Sequence, residues 1–593
     1  MKFFEATLRG RSRFPLAIIA GLLLAAAFPK IGIAGFAWIA PGLMIAAALG
    51  TRGWQSFRIG YVAGLVHYLA SLYWLLLIPY QWHGIPIGPG AGWMALSAFL
   101  ALFPATWVWL AAGDRNPKSE SQKPKQPPDS KSESKGPEAK EQTENSKTAA
   151  PPSTDYRPLT TDSTGFTIFA SSWSRRTLWS LSGAAVWVGL EMIVARIFGG
   201  FPWNLLGDSQ YQMTPLIQIA SVTGVYGVSF LIIWTSLSLL SAALRLIRAP
   251  AMRSVWLAEV FLPILTVAVL FAFGSRRVLH KSISEQTLKV AFVQPSIPQT
   301  LIWDESNDDE RFHDLLQLSE QALTNKVDLL LWPEAAVPKK VRWNKETYEA
   351  VTGLAREHHV WMIIGADDME LRLGAKTDAD IDYYNSSFLI NPEGRIVRGY
   401  RKRALVIFGE YIPLEHALPF IKWVTPVQGS FTPGDRAVPF ELEGLRAKTS
   451  VLICFEDTFA HLAREYVQPD TDFLVNLTNN GWFGEGAAQW QHAAAALFRA
   501  VENGRPLLRC SNNGLTCWVD EHGRIQEIFH DSKDRIYGPG YMLAEIPLLA
   551  HGQPQPTTFY NQHGDVFGWA CLCVAGFMVL RRVADLRKKK SRP

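Results

Sequence analysis

The stretch VLICFEDTF, Val451 to Phe459, decides how the second half of the chain is read. Val451, Leu452 and Ile453 make a continuous apolar run, as in a strand buried on both faces, and Glu456 and Asp457 close it. Cys454 stands where the run ends. A cysteine there is either a small buried hydrophobe or a nucleophile in need of a base. The same rhythm extends outward. LKVAFVQPS, VDLLLWPE, VWMIIGADD, SSFLINPEG, RIVRGY, DFLVNLTNN and PLLRCSNNG are further short apolar runs bounded by polar or turn residues. DDERFHDLLQLSEQALTN, KETYEAVTGLAREHH and AAQWQHAAAALFRAVENG lie between them with helical character, and NPEG reads as a turn. Alternation of this kind predicts an α/β domain with a layered sheet over residues 285–550.

The rest of the chain is of another kind. Of 593 residues, 48% are hydrophobic and 19% charged, against about 25% charged in an ordinary soluble protein. The first 112 residues are nearly uncharged. A bilayer-spanning helix needs about 20 mainly apolar residues. Eight segments meet that need, centred on 14–30, 33–50, 57–79, 87–112, 177–198, 216–246, 255–275 and 563–582. Pro41 interrupts the second, and the sixth, rich in Gly and Ser, could begin later. Arg9, Arg11 and Arg13 before the first resemble a signal-peptide start, but a second apolar span follows almost at once, so the segment is read as a retained helix.

Positive charge sets the orientation. Lys2 and those arginines, then Arg52 and Arg58, then Arg245, Arg248 and Arg253, and the tail RRVADLRKKKSRP fall on one side; Tyr80 to Pro89 carries no Lys or Arg. Both termini are therefore expected in the cytoplasm, with the 285–550 domain on the opposite face. Arg276, Arg277 and Lys281 on the outer flank run against that pattern. The Pro-, Ser-, Lys- and Glu-rich stretch after residue 112 lacks the large apolar residues that would offset ordering entropy, and is expected to be a mostly disordered cytoplasmic insert.

The net charge of +5 is small and no nucleic-acid partner is expected. Five cysteines cannot make a disulfide framework, and there is no zinc spacing and no P-loop. Cys571 and Cys573 lie in the terminal apolar segment; Cys510 and Cys517 flank SNNG as core residues or a cross-strand pair. Glu191, inside the span VWVGLEMIVAR, needs a partner or a wet cavity, with Arg196 one candidate. The following GGFPWNLLGDSQYQ cannot continue as a helix.

Three strand ends carry candidate chemistry. VDLLLWPEAAV leaves Glu334 just past a buried strand; YRKRALVIFGEY supplies Lys402 and, eight residues on, Glu410; VLICFED supplies Cys454. An acid, an amine and a thiol are the components of a covalent acyl-transfer site. Taken singly, Glu334 could cap a helix, Lys402 could be a solvated charge and Cys454 could be core.

WPE, YRKRALVIFGEYIPL, ICFE and NLTNNGWFGEGAAQWQHAAAALFRAVENGRPLLRCSNNGLT, in that order, resemble the nitrilase (carbon–nitrogen hydrolase) superfamily with its Glu–Lys–Cys triad. FGEYIPL and the NGWFG…QH…RAVENGRP run, with GYVAGLVHYLASLYW, VWVGLE, GGFPWNLLG and GVYGVSFL in the membrane part, are similar to the apolipoprotein N-acyltransferase family. The resemblance implies a membrane domain of about eight helices carrying a nitrilase-like αββα sandwich on its outer face. Transmembrane helices 1–4 would fill residues 1–112, the insert 113–175, helices 5–7 residues 176–276, the catalytic domain 285–550, helix 8 residues 560–582 and a basic tail 583–593.

Glu334 would be the general base, Lys402 the cation for the oxyanion and Cys454 the acylated thiol. Glu410 matches a second acid that supports Lys402, and Glu456 and Phe455 match positions beside the nucleophile. Trp303, Phe455 and Trp482 would line the substrate site. The chain departs from the family pattern at Ile407, where Pro is frequent, at Phe455, where Tyr is common, and at Asn480, which replaces a frequent Asp. The implied reaction moves an acyl chain from a membrane phospholipid to Cys454 and then to the α-amine of a diacylglyceryl-cysteine apolipoprotein, without metal or nucleotide. The implied location is the inner membrane with the catalytic domain in the periplasm, and a site complete in one chain is consistent with a monomer. The triad alone does not separate transfer from hydrolysis by a membrane-tethered amidase, or from a scaffold that only binds lipoproteins.

Overall fold

The computed structural model describes residues 12–79, 87–112, 168, 171–248, 255–279, 286–302, 304–372, 381–413, 430–549 and 557–590. Almost all of the 113–175 insert, and Trp303, lie outside these residues.

The apolar first half forms helices α1 (Arg13–Ala26), α2 (Ala40–Ala47), α3 (Trp54–Ser71), α4 (Gly88–Leu100), α5 (Leu102–Ala111), α6 (Trp173–Val194), α7 (Val225–Arg248) and α8 (Val255–Leu279). Among the described residues five helical stretches are long and apolar enough to cross a bilayer: Gly88–Ala111, Trp173–Val194, Val225–Ile247, Trp256–Leu279 and Val566–Ala584. The other three apolar segments of the sequence correspond to α1, α2 and α3. Pro41 lies in the first turn of α2, where its missing N–H breaks no helical hydrogen bond.

Two arginines of this part are paired with carboxylates. Arg176 of α6 binds Glu259 of α8, which also accepts from Ser241 Oγ of α7 (2.8 Å). Glu191 accepts from Trp187 Nε1 (2.9 Å) and from the backbone N–H of Leu206 (2.8 Å). Arg196 pairs with Asp565, at the start of the last helix, and not with Glu191.

The second half builds two six-stranded sheets. Strands β1 (Thr287–Gln294), β2 (Leu329–Leu331), β3 (Trp361–Leu371), β4 (Ile381–Ile390), β5 (Ile396–Arg401), β6 (Pro439–Leu442), β7 (Ala447–Ile453), β8 (Phe473–Thr478), β9 (Leu507–Ser511), β10 (Cys517–Val519), β11 (Ile525–Ile528) and β12 (Gly540–Pro547) are ordered β12-β1-β2-β3-β4-β5 and β11-β10-β9-β8-β7-β6. The sheets pack face to face. Val290 and Phe292 of β1, Leu331 of β2 and Ile363 of β3 share one core with Val451 of β7, Val475 of β8 and Leu508 of β9. Residues of alternate parity, such as Leu330, Met362 and Ile364, face α9 (Asp308–Leu323) and α10 (Lys345–His358).

On the far side lies α11 (Ala488–Asn503), which is buried along nearly its whole length because it is wedged between the second sheet and the membrane helices. The chain ends in α12 (Val566–Lys590), which continues past the expected span end at residue 582. Its RRVADLRKKK run consists largely of good helix formers, so nothing stops it there. Cys510 and Cys517 are both buried free thiols; Cys517 stands opposite Arg509, so no cross-strand bridge joins the two cysteines.

Candidate active site

Parallel strands β2 and β3 bring the first strand end into position. Trp332 continues β2, its N–H donating to Ile363 O (3.0 Å) and its Nε1 to Ser319 Oγ of α9 (2.9 Å), which locks the start of WPE. Glu334 follows and is only 7% exposed. Gly365 on β3 makes room for it: a β-carbon there would stand 2.3 Å from Pro333 O and 2.7 Å from Glu334 Cα.

Lys402, the residue after β5, is 1% exposed, and an ammonium buried so far requires partners. Its Nζ donates to Glu334 Oε1 (3.0 Å) and to Glu410 Oε1 (2.7 Å). Asn385 of β4 bridges the same two carboxylates, Nδ2 donating to Glu334 Oε1 (2.8 Å) and Glu410 Oε1 (2.9 Å). The backbone N–H of Asn479 supplies Glu334 Oε2 (2.9 Å), and that of Val406 supplies Glu410 Oε2 (2.8 Å). Two carboxylates thus face one ammonium, and the surplus negative charge is met by neutral N–H donors. Burial pulls the Lys402 ammonium down, but Glu334 and Glu410 outweigh it and hold the group well above its ordinary value, so it stays charged.

Cys454 is the first residue after β7 and takes a left-handed conformation, φ +50°. Asn476 Nδ2 holds its carbonyl (3.1 Å). Burial pushes the thiol up to about 12; Glu334 pushes the same way and Lys402 pulls it back. Cys454 is therefore a protonated thiol at rest, within electrostatic reach of a carboxylate and an ammonium. Glu456 is fully buried and belongs to the frame: it accepts from the backbone N–H groups of Ile453 (2.7 Å), Arg403 (2.6 Å) and Ala404 (3.1 Å), and from Tyr400 Oη (2.8 Å). One carboxylate therefore ties the cysteine turn to the lysine loop.

Phe455 connects this frame to the membrane helices. Its ring packs on Phe201 (5.9 Å between centroids), Trp203 (6.2 Å) and Phe459 (5.0 Å). Phe201 and Trp203 come from GGFPW after α6, which turns at Gly200 (φ +85°), where a β-carbon would meet Ala195 O at 2.3 Å. Gln491 of α11 fixes the same loop. Its Oε1 accepts from Trp74 Nε1 (3.0 Å), Trp203 Nε1 (2.9 Å) and Asn204 Nδ2 (3.2 Å), while Nε2 donates to Pro29 O (2.7 Å) and Ser71 O (3.0 Å). Trp482 is half-buried in the short turn Asn480–Phe483, whose Phe483 ring meets Trp74 at 4.5 Å.

The structure thus brings Glu334, Lys402, Glu410 and Cys454 together, with Glu456 and Phe455 beside them. Asn385 and Gln491, which sequence reasoning did not single out, hold the site together; a signal existed only for Gln491, inside the quoted QWQH. Among the described residues no cluster of three or more His, Cys, Asp or Glu side chains could hold a metal ion.

Residues 289–538 match the Carbon-nitrogen hydrolase family, and residues 20–123 and 163–238 match the Apolipoprotein N-acyltransferase N-terminal domain. The architecture is thus a nitrilase-like carbon–nitrogen hydrolase fold joined to a domain of apolar helices. An apolipoprotein N-acyltransferase of Geobacter metallireducens is 32% identical over 98% of this chain and 96% of its own length. Another, from Haemophilus influenzae, is 31% identical over 58% of this chain and 64% of its own length. Among solved structures, an amidase from Nesterenkonia sp. AN1 superposes with a TM-score of 0.33 and 16% identity, covering 47% of this chain and 96% of the amidase. The chain belongs to the apolipoprotein N-acyltransferase family.

Proposed function

We propose that the protein moves an acyl chain from a membrane phospholipid to the N-terminal amine of a diacylglyceryl-cysteine apolipoprotein, through a thioester on Cys454. In the first half-reaction Glu334 takes the thiol proton as Sγ attacks the ester carbonyl of the phospholipid. Lys402 stabilises the tetrahedral oxyanion, and the proton returns to the departing lysophospholipid alkoxide. In the second, the acceptor amine attacks the thioester, Glu334 takes the proton the amine gives up, the C–S bond breaks as the amide forms, and Glu334 returns that proton to the departing thiolate. Because the resting thiol is pushed up to about 12, deprotonation has to accompany attack, which is why a carboxylate base is needed beside it. Glu410 and Asn385 position Lys402 and Glu334.

The observation that carries the lipid reading is the aromatic wall of Phe455, Phe201 and Trp203, which joins the nucleophile's own turn to the apolar helices. Each buried CH₂ is worth about 0.8 kcal/mol, so a long chain stays in apolar surroundings rather than cross to a water-facing site. The same surroundings would limit hydrolysis of the thioester. In this reading residues 1–112, 176–276 and 560–582 form the membrane part and 285–550 the catalytic domain, which lies on the periplasmic face of the inner membrane with both termini cytoplasmic; one chain holds the whole site. Cys454→Ala should abolish transfer to a diacylated peptide while leaving binding of that peptide intact. Transfer that survives the substitution overturns the mechanism.

A further inference from the structure

The face of β3 that carries Gly365 against Glu334 carries Asp367 two residues on, which a strand rise of about 3.4 Å per residue places about 7 Å further along the sheet. Asp367 stands directly opposite Asn385 in the β3–β4 register. Directly paired residues point to the same face, with β-carbons about 5 Å apart.

Both side chains are left with oxygens that lack donors. Asn385 directs Nδ2 at Glu334 and Glu410, an orientation fixed because the alternative would turn its oxygen toward two carboxylates. That leaves Oδ1 buried without a hydrogen-bond partner, in a residue 5% exposed. Asp367 is half-buried, and its carboxylate forms no hydrogen bond or ion pair among the described residues. Lys340 acts on it from a distance, with its Nζ placed over the Tyr383 ring at 5.4 Å. Burial pushes the Asp367 carboxyl up to about 7 against the pull of Lys340, and Glu334 and Glu410 add to the push. Two unmet acceptors beside a site with surplus carboxylate suit a ligand group that brings positive charge and more than one N–H.

We propose that Asp367 and Asn385 Oδ1 form a subsite for a primary ammonium group. The subsite rests on the acyl-transfer reading above and refines it. The ammonium belongs either to the headgroup of the phospholipid donor or to the amino terminus of the acceptor. A quaternary ammonium carries the charge without N–H donors and fits the subsite poorly.

The test measures the two half-reactions separately on the full-length protein. Acylation of Cys454 is followed by intact mass with vesicles of phosphatidylethanolamine, phosphatidylcholine or phosphatidylglycerol of identical chains. Discharge of the acylated protein is followed with a diacylglyceryl-cysteine peptide. If the headgroup is the ligand, Asp367→Asn lowers acylation from phosphatidylethanolamine about tenfold, to the level of the other two lipids, and leaves discharge unchanged. If the acceptor is the ligand, discharge falls about tenfold and acylation from all three lipids is unchanged. Asp367→Glu, which keeps the charge, should retain the affected half-reaction and guards against a folding defect. Wild-type rates for Asp367→Asn in both half-reactions, or an equal fall in every one of them, overturn the subsite while leaving acyl transfer standing. A wild-type protein that forms no adduct overturns the acyl-transfer reading and the subsite with it.

Discussion

At Cys454, a thiol whose ordinary value near 9 is pushed up to about 12 is protonated across the neutral range. Alkylation of Cys454 by iodoacetamide should therefore keep rising through about pH 10 without a plateau, because the thiolate fraction grows tenfold per unit below the thiol's own value. A plateau already reached below about pH 8 would mean a preformed thiolate and would remove the need for a base. Glu334→Gln keeps the shape of the side chain but cannot accept the proton, so thioester formation should fall about a hundredfold to ten-thousandfold, read by single-turnover intact mass. Glu334 and Cys454 stood out as candidates in the sequence because each follows an apolar run, whereas Lys402, preceded by Arg401, stood out only through the motif YRKRALVIFGEY. Asn385 did not stand out. An asparagine in a strand carries no distinguishing pattern, and its role arises from the β4 register that sets Nδ2 between two carboxylates.

The elements around these residues hold them by close approach at Gly365 and by hydrogen bonds at Gln491. Gly365→Ala puts a methyl group against Pro333 O, so Glu334 has to move. The expected outcome is a loss of acylation of at least about tenfold with an intact fold, checked by thioester formation beside a thermal melt. Gln491→Leu leaves three N–H donors and two carbonyls of the membrane part without their partner, at about 1–3 kcal/mol for each buried group left unmet. It should lower the melting temperature in detergent and slow acylation together, since Trp203 backs Phe455. An unchanged melt would contradict the role given to Gln491. Eight strands could be read from their apolar runs, but β6, β10, β11 and β12 could not. PFEL, CWV and IQEI are too short to show a period, and in β12 the buried positions Met542, Ala544 and Ile546 include a small residue that weakens the alternation. Helix α11 was legible as a helix, but its burial on nearly every side was not, because that depends on the membrane helices it meets.

At the scale of the whole molecule, the proposed transfer requires the sandwich domain on the outer side of the membrane, where it can meet both lipid substrates. Among the described residues five helical stretches are long and apolar enough to cross a bilayer, and labelling from either side reads which way the chain runs. Ser532→Cys, at an exposed position of the sandwich domain, should react with a membrane-impermeant maleimide in intact spheroplasts. Arg587→Cys, exposed on the terminal part of α12, should react only after permeabilisation. The reverse pattern would place the site on the cytoplasmic face and remove it from the proposed acceptor. The decisive measurement is the intact mass of the purified protein after incubation with phospholipid vesicles. The expected result is an adduct of one acyl chain, mapped to Cys454, that disappears when a diacylglyceryl-cysteine peptide is added and reappears as an amide on that peptide. No adduct, an adduct on another residue, or free fatty acid released equally by the Cys454→Ala protein would contradict it.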